Sequence, residues 1–310
     1  MKEVELIARL TQGLPQHDGV VTGPGDDCAV VDLGVPDKLF LLKTDAVVEG
    51  SHFHAESEPE RIGRKAIARC CSDIAAMGGT PLHALVTLGL PPHFDVAVLD
   101  RVYAGMRAIT DEFKISIVGG ETTRNPERMF ISIAMLGSVG RERCIRRSRA
   151  QAGDAIFVTG ELGGSIEGKH FDFVPRLKEG QWLAENLPLT AMIDVSDGLA
   201  SDLRHILNQS NVGAELFEQS LPVSRVAKLR AREHSNAKPP TLAALTDGED
   251  FELLFTLPSK SAVAALDGFK AAFPDVRLTC IGKITKDPGL RLRDARGVKE
   301  LNFHGYDHFA

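Results

Sequence analysis

Along the chain, apolar runs of strand length alternate with longer stretches of helical period, and this alternation admits few folds other than a layered α/β architecture. The runs CAVVDL and KLFLLKTDAVV predict strands over 28–33 and 38–48. A helix is expected over 59–77, where Ala66, Ile67, Cys70, Ile74 and Met77 recur at helical spacing and Gly78-Gly79 supplies a stop. A strand over 83–90, a helix over 94–113 and strands over 115–120 and 130–139 follow. After Ala152-Gly153-Asp154 the pattern begins again, with strands at AIFVTG, AMIDVS, AELFE, FELLFTL and LTCIGKI and helices over 197–209, 223–232 and 260–273. At 310 residues the chain is long enough for two cores. The division is expected near residue 148, giving domains 1–148 and 149–310.

A formal net charge of −6 leaves no basic excess to displace counterions from a nucleic acid, so a small ligand is the expected partner. The basic stretch from Arg141 to Arg149 holds five arginines, which reads as a solvated turn or as a segment facing phosphate. No apolar run approaches the 18 residues of a membrane span, and the opening MKEVELIARLTQGL lacks the apolar core of a signal peptide. Five cysteines without CxxC spacing suit reduced thiols in a cytoplasm.

The chemistry is written in the acids, which recur beside glycine or at the ends of apolar strands rather than among lysines and arginines. Asp26 and Asp27 follow Gly23-Pro24-Gly25; adjacent carboxylates repel unless solvated or shared with a cation, and an Asx turn is the plain alternative. Thr44 and Asp45 close a strand, with His52 just beyond. Asp73 interrupts the apolar tail of a helix and needs a partner, either a cation or an arginine. Gly119-Gly120-Glu121 ends another strand, where glycine lets a phosphate approach the backbone. In IDVSDGLASDL, Asp194 and Ser196 would share one face of a strand and Asp197 would open a helix as a cap or first-turn acid. In DGEDFELLF, strand alternation would put Glu249 in a cleft and Phe251 in the core. Six such termini without zinc-type ligands point to several Mg²⁺ ions and so to a nucleotide polyphosphate.

GPGDDCAVV, KTDAVVEGSHF, KAIARCCSDIAAMGGTP, GGETTR, IDVSDGLASDL, DGEDFELLFT and the terminal GYDHF, in this order, resemble the thiamine-monophosphate kinase family. That family shares its two-domain α/β fold with aminoimidazole ribonucleotide synthetase and selenophosphate synthetase. The resemblance implies a homodimer with an intersubunit β-barrel built by the N-terminal domains, and ATP in a cleft between domains without a P-loop. It implies a magnesium site at Asp27, Thr44, Asp45, Asp73, Glu121, Asp194 and Asp197. Gly120, Glu121, Arg147 and Ser196 correspond to ATP contacts, and His52, Glu249 and Tyr306 to contacts with thiamine monophosphate. Asp45, Asp194, Asp197 and Arg147 are expected to carry the in-line transfer of a phosphoryl group from ATP to an already anionic acceptor.

Three departures from the family pattern stand out. Glu121 replaces an Asp, and Lys43 occupies a position that usually holds Ser or Thr, where it substitutes for an ion or points away. The segment 159–177 is too short for the helix usual there, which must be absent or reduced to a turn. These leave open two alternatives, a different acceptor for Mg-ATP and nucleotide binding without turnover.

Overall fold

The computed structural model describes residues 3–303, 305 and 306; Asp307, His308 and Phe309 of the terminal motif lie outside the described residues. Each half of the chain builds one sheet. The first half contributes helix α1 (Glu3–Thr11) and strands β1 (Val20–Thr22), β2 (Ala29–Val31), β3 (Lys38–Val48), β4 (Thr80–Leu90), β5 (Ser116–Arg124) and β6 (Phe130–Gly140). They pair in the order β1-β2-β3-β6-β4-β5. β3 and β6 run antiparallel in unbroken register from Lys38↔Gly140 to Val48↔Phe130, while β5 is parallel to β4. Because strand side chains alternate, Leu39, Leu41, Lys43, Asp45 and Val47 share one face and Leu42, Thr44 and Ala46 the other.

The first of those faces is covered by helix α2 (Pro59–Ala76), which packs on β3, β4 and β6 and against α3 (Val96–Phe113). The opposite face is open. Leu42, Leu85 and Val118 are 47%, 47% and 59% exposed there and line an apolar groove with Ala134 and Leu136. β1 and β5 are the two edges of this sheet, so the chain by itself closes no barrel.

The second half supplies β7 (Asp154–Thr159), β8 (Ala191–Asp194), β9 (Gly213–Phe217), β10 (Leu253–Pro258), β11 (Leu278–Thr285), β12 (Gly289–Asp294) and β13 (Gly297–Glu300). Their order is β13-β12-β9-β11-β7-β10-β8, antiparallel throughout except between β12 and β9. Its helices are α4 (Lys169–Asp172), α5 (Leu177–Asn186), α6 (Leu199–Ser210), α7 (Arg225–Glu233), α8 (Pro240–Thr246) and α9 (Ala262–Ala272). This sheet is buried on both faces, which is why AIFV and LLF are continuously apolar. Phe157 and Phe255 stack towards a core shared with α2 and the first sheet, whereas Ile156, Val158 and Leu254 enter a second core with α6.

The short segment of 160–177 is indeed reduced, to a 3₁₀ turn at Ser165–Glu167 and the single turn of α4. It is pinned by Lys169 and Arg176 on the buried Glu252 and by Arg61 on Asp172. The other differences from expectation are local. Helices α5 and α8 and strands β12 and β13 were not among the expected elements, although Leu290 and Leu292 of β12 alternate with Arg291 and Arg293. α6 begins at Leu199 with Gly198 as N-cap, so Asp197 is not the cap; Asp202 reaches back instead to accept from the N–H groups of Asp197 and Gly198. β10 begins at Leu253 rather than at Phe251, because Glu249 and Phe251 take left-handed backbone conformations.

Helices α2 and α3 touch through glycines. A β-carbon at Gly105 would lie 1.8 Å from the Glu60 carbonyl oxygen, and one at Gly63 1.9 Å from that of Val102. Alanine normally favours a helix interior over glycine by about 1 kcal/mol. Here Gly63→Ala and Gly105→Ala should each lower stability by about 1–3 kcal/mol through overpacking, measurable as a shift of the urea midpoint.

Candidate active site

Four polar residues of α2, Lys65, Arg69, Ser72 and Asp73, fall at i, i+4, i+7 and i+8 and form one stripe of the helix. α2 also packs against α4, α5 and β8 of the second half, so this stripe faces the seam between the two sheets. At one end of the seam, single carboxylate oxygens of Asp27, Asp73 and Asp194 lie within 4.8 Å of one another, all three side chains buried. They come from the loop before β2, the end of α2 and the end of β8.

Each acid of this group has a partner. Lys43 Nζ lies 2.7 Å from Asp73 Oδ1, Arg147 Nη2 donates to Asp27 Oδ1 at 2.8 Å, and the Ser72 hydroxyl donates to Asp194 Oδ2 at 2.6 Å. The charge is still undercompensated. Burial and the nearby Asp27 carboxylate push Asp194 up to about 7, against hydrogen bonding from Ser72 and the charges of Lys43 and Arg147. Burial pushes Asp73 well above the usual carboxylate range, and Asp26, beside Asp27, rises to about 6 for the same reason. Asp27 Oδ2 is buried and accepts no hydrogen bond among the described residues. An orphaned carboxylate oxygen among converging hard oxygen donors is the environment that suits Mg²⁺.

At the other end of the stripe, Lys65 is fully buried. Its ammonium donates to the His52 carbonyl oxygen at 2.9 Å and to Glu249 Oε2 at 2.8 Å, and lies 2.7 Å from His170 Nδ1. Burial drives Lys65 down to about 8. For Glu249 burial works upward, but hydrogen bonding to His170 and the charges of Lys65 and Arg69 hold it at about 2, so the pair is ionised at neutral pH. Above this network is a pocket lined by His52, Arg69, Ser196, Asp197, Glu249 and Tyr306, among others. The loop at 248–252 is strapped to the β8–α6 corner, with Glu249 N–H donating to the Ser196 carbonyl at 2.6 Å and Phe251 N–H to that of Val195 at 2.8 Å. Gly248 permits this crossing: its φ is +73°, and a β-carbon there would stand 2.8 Å from the Ser196 oxygen. Tyr306 N–H donates to the Asp197 carbonyl at 3.0 Å, which brings the C-terminal segment to the pocket.

The family model described as AIR synthase related protein, N-terminal domain, matches residues 25–139, and that for its C-terminal domain matches residues 151–295. A thiamine-monophosphate kinase of Rhodopirellula baltica is 37% identical over 306 residues, which cover 96% of this chain and 93% of that protein. The chain belongs to the thiamine-monophosphate kinase family. Its Escherichia coli member is 36% identical over 315 residues, covering 94% and 93%. Among solved structures, AaThiL complexed with AMPPCP and TMP superposes with a TM-score of 0.82 at 30% identity, covering 99% of this chain and 97% of that one. Thiamine-monophosphate kinase from Stenotrophomonas maltophilia superposes with a TM-score of 0.73 at 31% identity, covering 93% and 95%.

Of the residues singled out by the kinase-family resemblance, Asp27, Asp73 and Asp194 form the buried group with Arg147 on its flank. His52, Ser196, Asp197, Glu249 and Tyr306 meet in the neighbouring pocket. β8 ends at Asp194, so the strand alternation that would put Asp194 and Ser196 on one face stops between them. Asp197 belongs to a second acidic group with Asp202 and His205. Asp45 accepts from Arg69 Nε at 2.8 Å and belongs to neither group. Thr44, Gly120 and Glu121 are not brought to the cluster. Thr44 and Glu121 are exposed on the open face, and Glu121 pairs in register with Thr87 on an edge strand three strand positions from β3. Gly120 has a local reason to be glycine, since a β-carbon there would lie 1.8 Å from the Val86 oxygen. Lys43 points into the cluster rather than away. Ser72, Lys65, His170 and Arg69 were not among the expected site residues; the polar stripe at i, i+4, i+7 and i+8 along α2 was the signal that would have found all but His170.

Glu249 is held below its ordinary value of 4.5, so its stabilising contribution is full above about pH 4.5 and is lost as pH falls towards about 2. The stability difference between the native protein and Glu249→Gln should therefore be constant near neutrality and shrink through that window in acid denaturation. Lys43→Met leaves the buried Asp73 carboxylate without its cation and should cost about 3 kcal/mol in chelator, an effect partly reversed by added Mn²⁺ in thermal melts.

Proposed function

We propose that this chain transfers the γ-phosphoryl group of ATP to the phosphate of thiamine monophosphate, giving thiamine diphosphate and ADP. The observation that carries the reading is the buried group of Asp27, Asp73 and Asp194, with its unsatisfied oxygen, opening beside the pocket of His52, Glu249 and Tyr306 in a member of this family. The solved relative that binds both AMPPCP and TMP supports the same pair of substrates.

Asp27, Asp73 and Asp194 would hold Mg²⁺, whose chemistry when bound is neutralisation of charge on phosphate oxygens. The chain's own part is positioning. The acceptor phosphate is an anion at neutral pH and needs no strong base, so a nucleophilic phosphate oxygen forms the new P–O bond as the bond to ADP breaks. Arg147 sits at the edge of the acids, its Nε 4.0 Å from Asp26 Oδ1 and without a hydrogen-bond partner among the described residues, and suits an ATP phosphate oxygen. His52 accepts the Val48 N–H at Nδ1 at 3.1 Å, which fixes its ring at the wall of the pocket. Ser196 and Asp197 join the two subsites.

The active form in this reading is a homodimer in the cytoplasm, with residues 1–148 binding Mg-ATP and 149–310 completing the cleft. The apolar open face around Leu42, Leu85 and Val118 supports burial against a second copy. Closure there also gives Thr44, Gly120 and Glu121, remote from their own chain's cluster, an assembled site in which to act. Five free cysteines suit a reducing compartment.

Purified protein given Mg-ATP and thiamine monophosphate should form ADP and thiamine diphosphate in equal amounts; ATP binding without either product would overturn the reading. Asp27→Asn and Asp194→Asn should each lower kcat by at least about 10²-fold. Asp194→Asn should keep a cooperative melt close to that of the native protein, because its amide oxygen can still accept from Ser72, whereas Asp27→Asn loses the ion pair with Arg147 and should melt lower.

A further inference from the structure

Arg69 stands where the acid cluster and the pocket meet. Its Nε donates to Asp45 Oδ2 at 2.8 Å, which fixes the plane of the guanidinium. Its Nη1 is 3.9 Å from Glu249 Oε1, too far for a hydrogen bond, and is buried with no hydrogen-bond partner among the described residues. Glu249 feels it as a more distant charge than its nearer partners. Lys65 and His170 already reach that carboxylate at 2.8 and 3.0 Å.

The remaining strong cations near the seam are engaged, Lys43 by Asp73 and Arg147 by Asp27. Of the described residues that line the pocket, Arg69 is the one lysine or arginine, set among Asp197, Asp247 and Glu249. Its side chain is 14% exposed, open to the pocket but largely out of water. A desolvated guanidinium N–H with no acceptor gains most from an anionic oxygen, and the planar fork of arginine matches a phosphate better than an ammonium does.

We propose that Arg69 binds the phosphate of the acceptor through its guanidinium and so makes the pocket select a phosphorylated ligand over its alcohol. The inference rests on the proposed acceptor site and adds a residue and a discrimination to it. Asp45 then has a role separate from metal binding: it orients Arg69 at the wall of the pocket. The same placement sets the acceptor phosphate on the side of the pocket nearest the acid cluster, where the phosphoryl donor must arrive.

The test is calorimetric binding of thiamine monophosphate and of unphosphorylated thiamine, both with Mg²⁺ and AMPPCP present, to the native protein, Arg69→Met and Arg69→Lys. Arg69→Met should weaken thiamine monophosphate by at least about tenfold, the loss expected for one charged hydrogen bond, while thiamine changes by less than about threefold. Arg69→Lys keeps the charge beside Asp45 but loses the fork, and should fall between the two. It also guards against failure of the methionine variant to fold. Equal weakening of both ligands, or of neither, would overturn the proposal and leave the proposed function standing. Failure of the native protein to bind thiamine monophosphate would overturn both.

Discussion

Burial of a polar stripe on α2 between two sheets is the constraint on which the site depends. A helix with apolar neighbours on every side would ordinarily carry only apolar residues. α2 instead places Lys65, Arg69, Ser72 and Asp73 along the seam, and each of these groups is costly there unless it is met from another element. Asp73 is met by Lys43 of β3, Ser72 by Asp194 of β8, Arg69 by Asp45 of β3, and Lys65 by Glu249 beyond α8. These pairings draw residues far apart in sequence to one line, and every pair but Lys43–Asp73 and Asp45–Arg69 joins the two halves of the chain.

The two ends of the seam are electrostatically different. Around Lys65 the charges balance, and Glu249 is strongly favoured in its ionised form. Around Asp73 they do not, and burial raises both Asp73 and Asp194 despite one lysine and one arginine nearby. A balanced end holds a shape, while an end with surplus negative charge holds a cation. Lys43 gives the unbalanced end a permanent positive charge, so part of the neutralisation is built into this chain.

Much of the architecture was legible because the sheet of the second half is buried on both faces and its strands read as unbroken apolar runs. β3, β6 and α2 were readable to within a residue or so for a related reason: each is long and its periodicity is strong. α4 and α8 escaped because each has seven residues or fewer, too short for a period to show. Phe251 is buried and Glu249 lines the pocket, as strand alternation had suggested, yet the cause is different. Both residues lie outside β10 in left-handed conformations enforced by the strap to Ser196 and Val195.

The sequence by itself determined the layered two-sheet architecture, the family, and the acids at strand and helix ends, since periodicity and local motifs are properties of neighbouring residues. Only the tertiary structure decided which acids share a site. Asp27, Asp73 and Asp194 converge, while Asp45, two residues from Lys43 and on the same face of β3, is turned to Arg69 instead. Thr44 and Glu121 fall on the opposite face of the sheet, because a pleated strand sends successive side chains to opposite sides. Lys43 itself had two open readings from sequence. Its direction was fixed only when the full-length β3–β6 register put it on the buried face, 2.7 Å from Asp73.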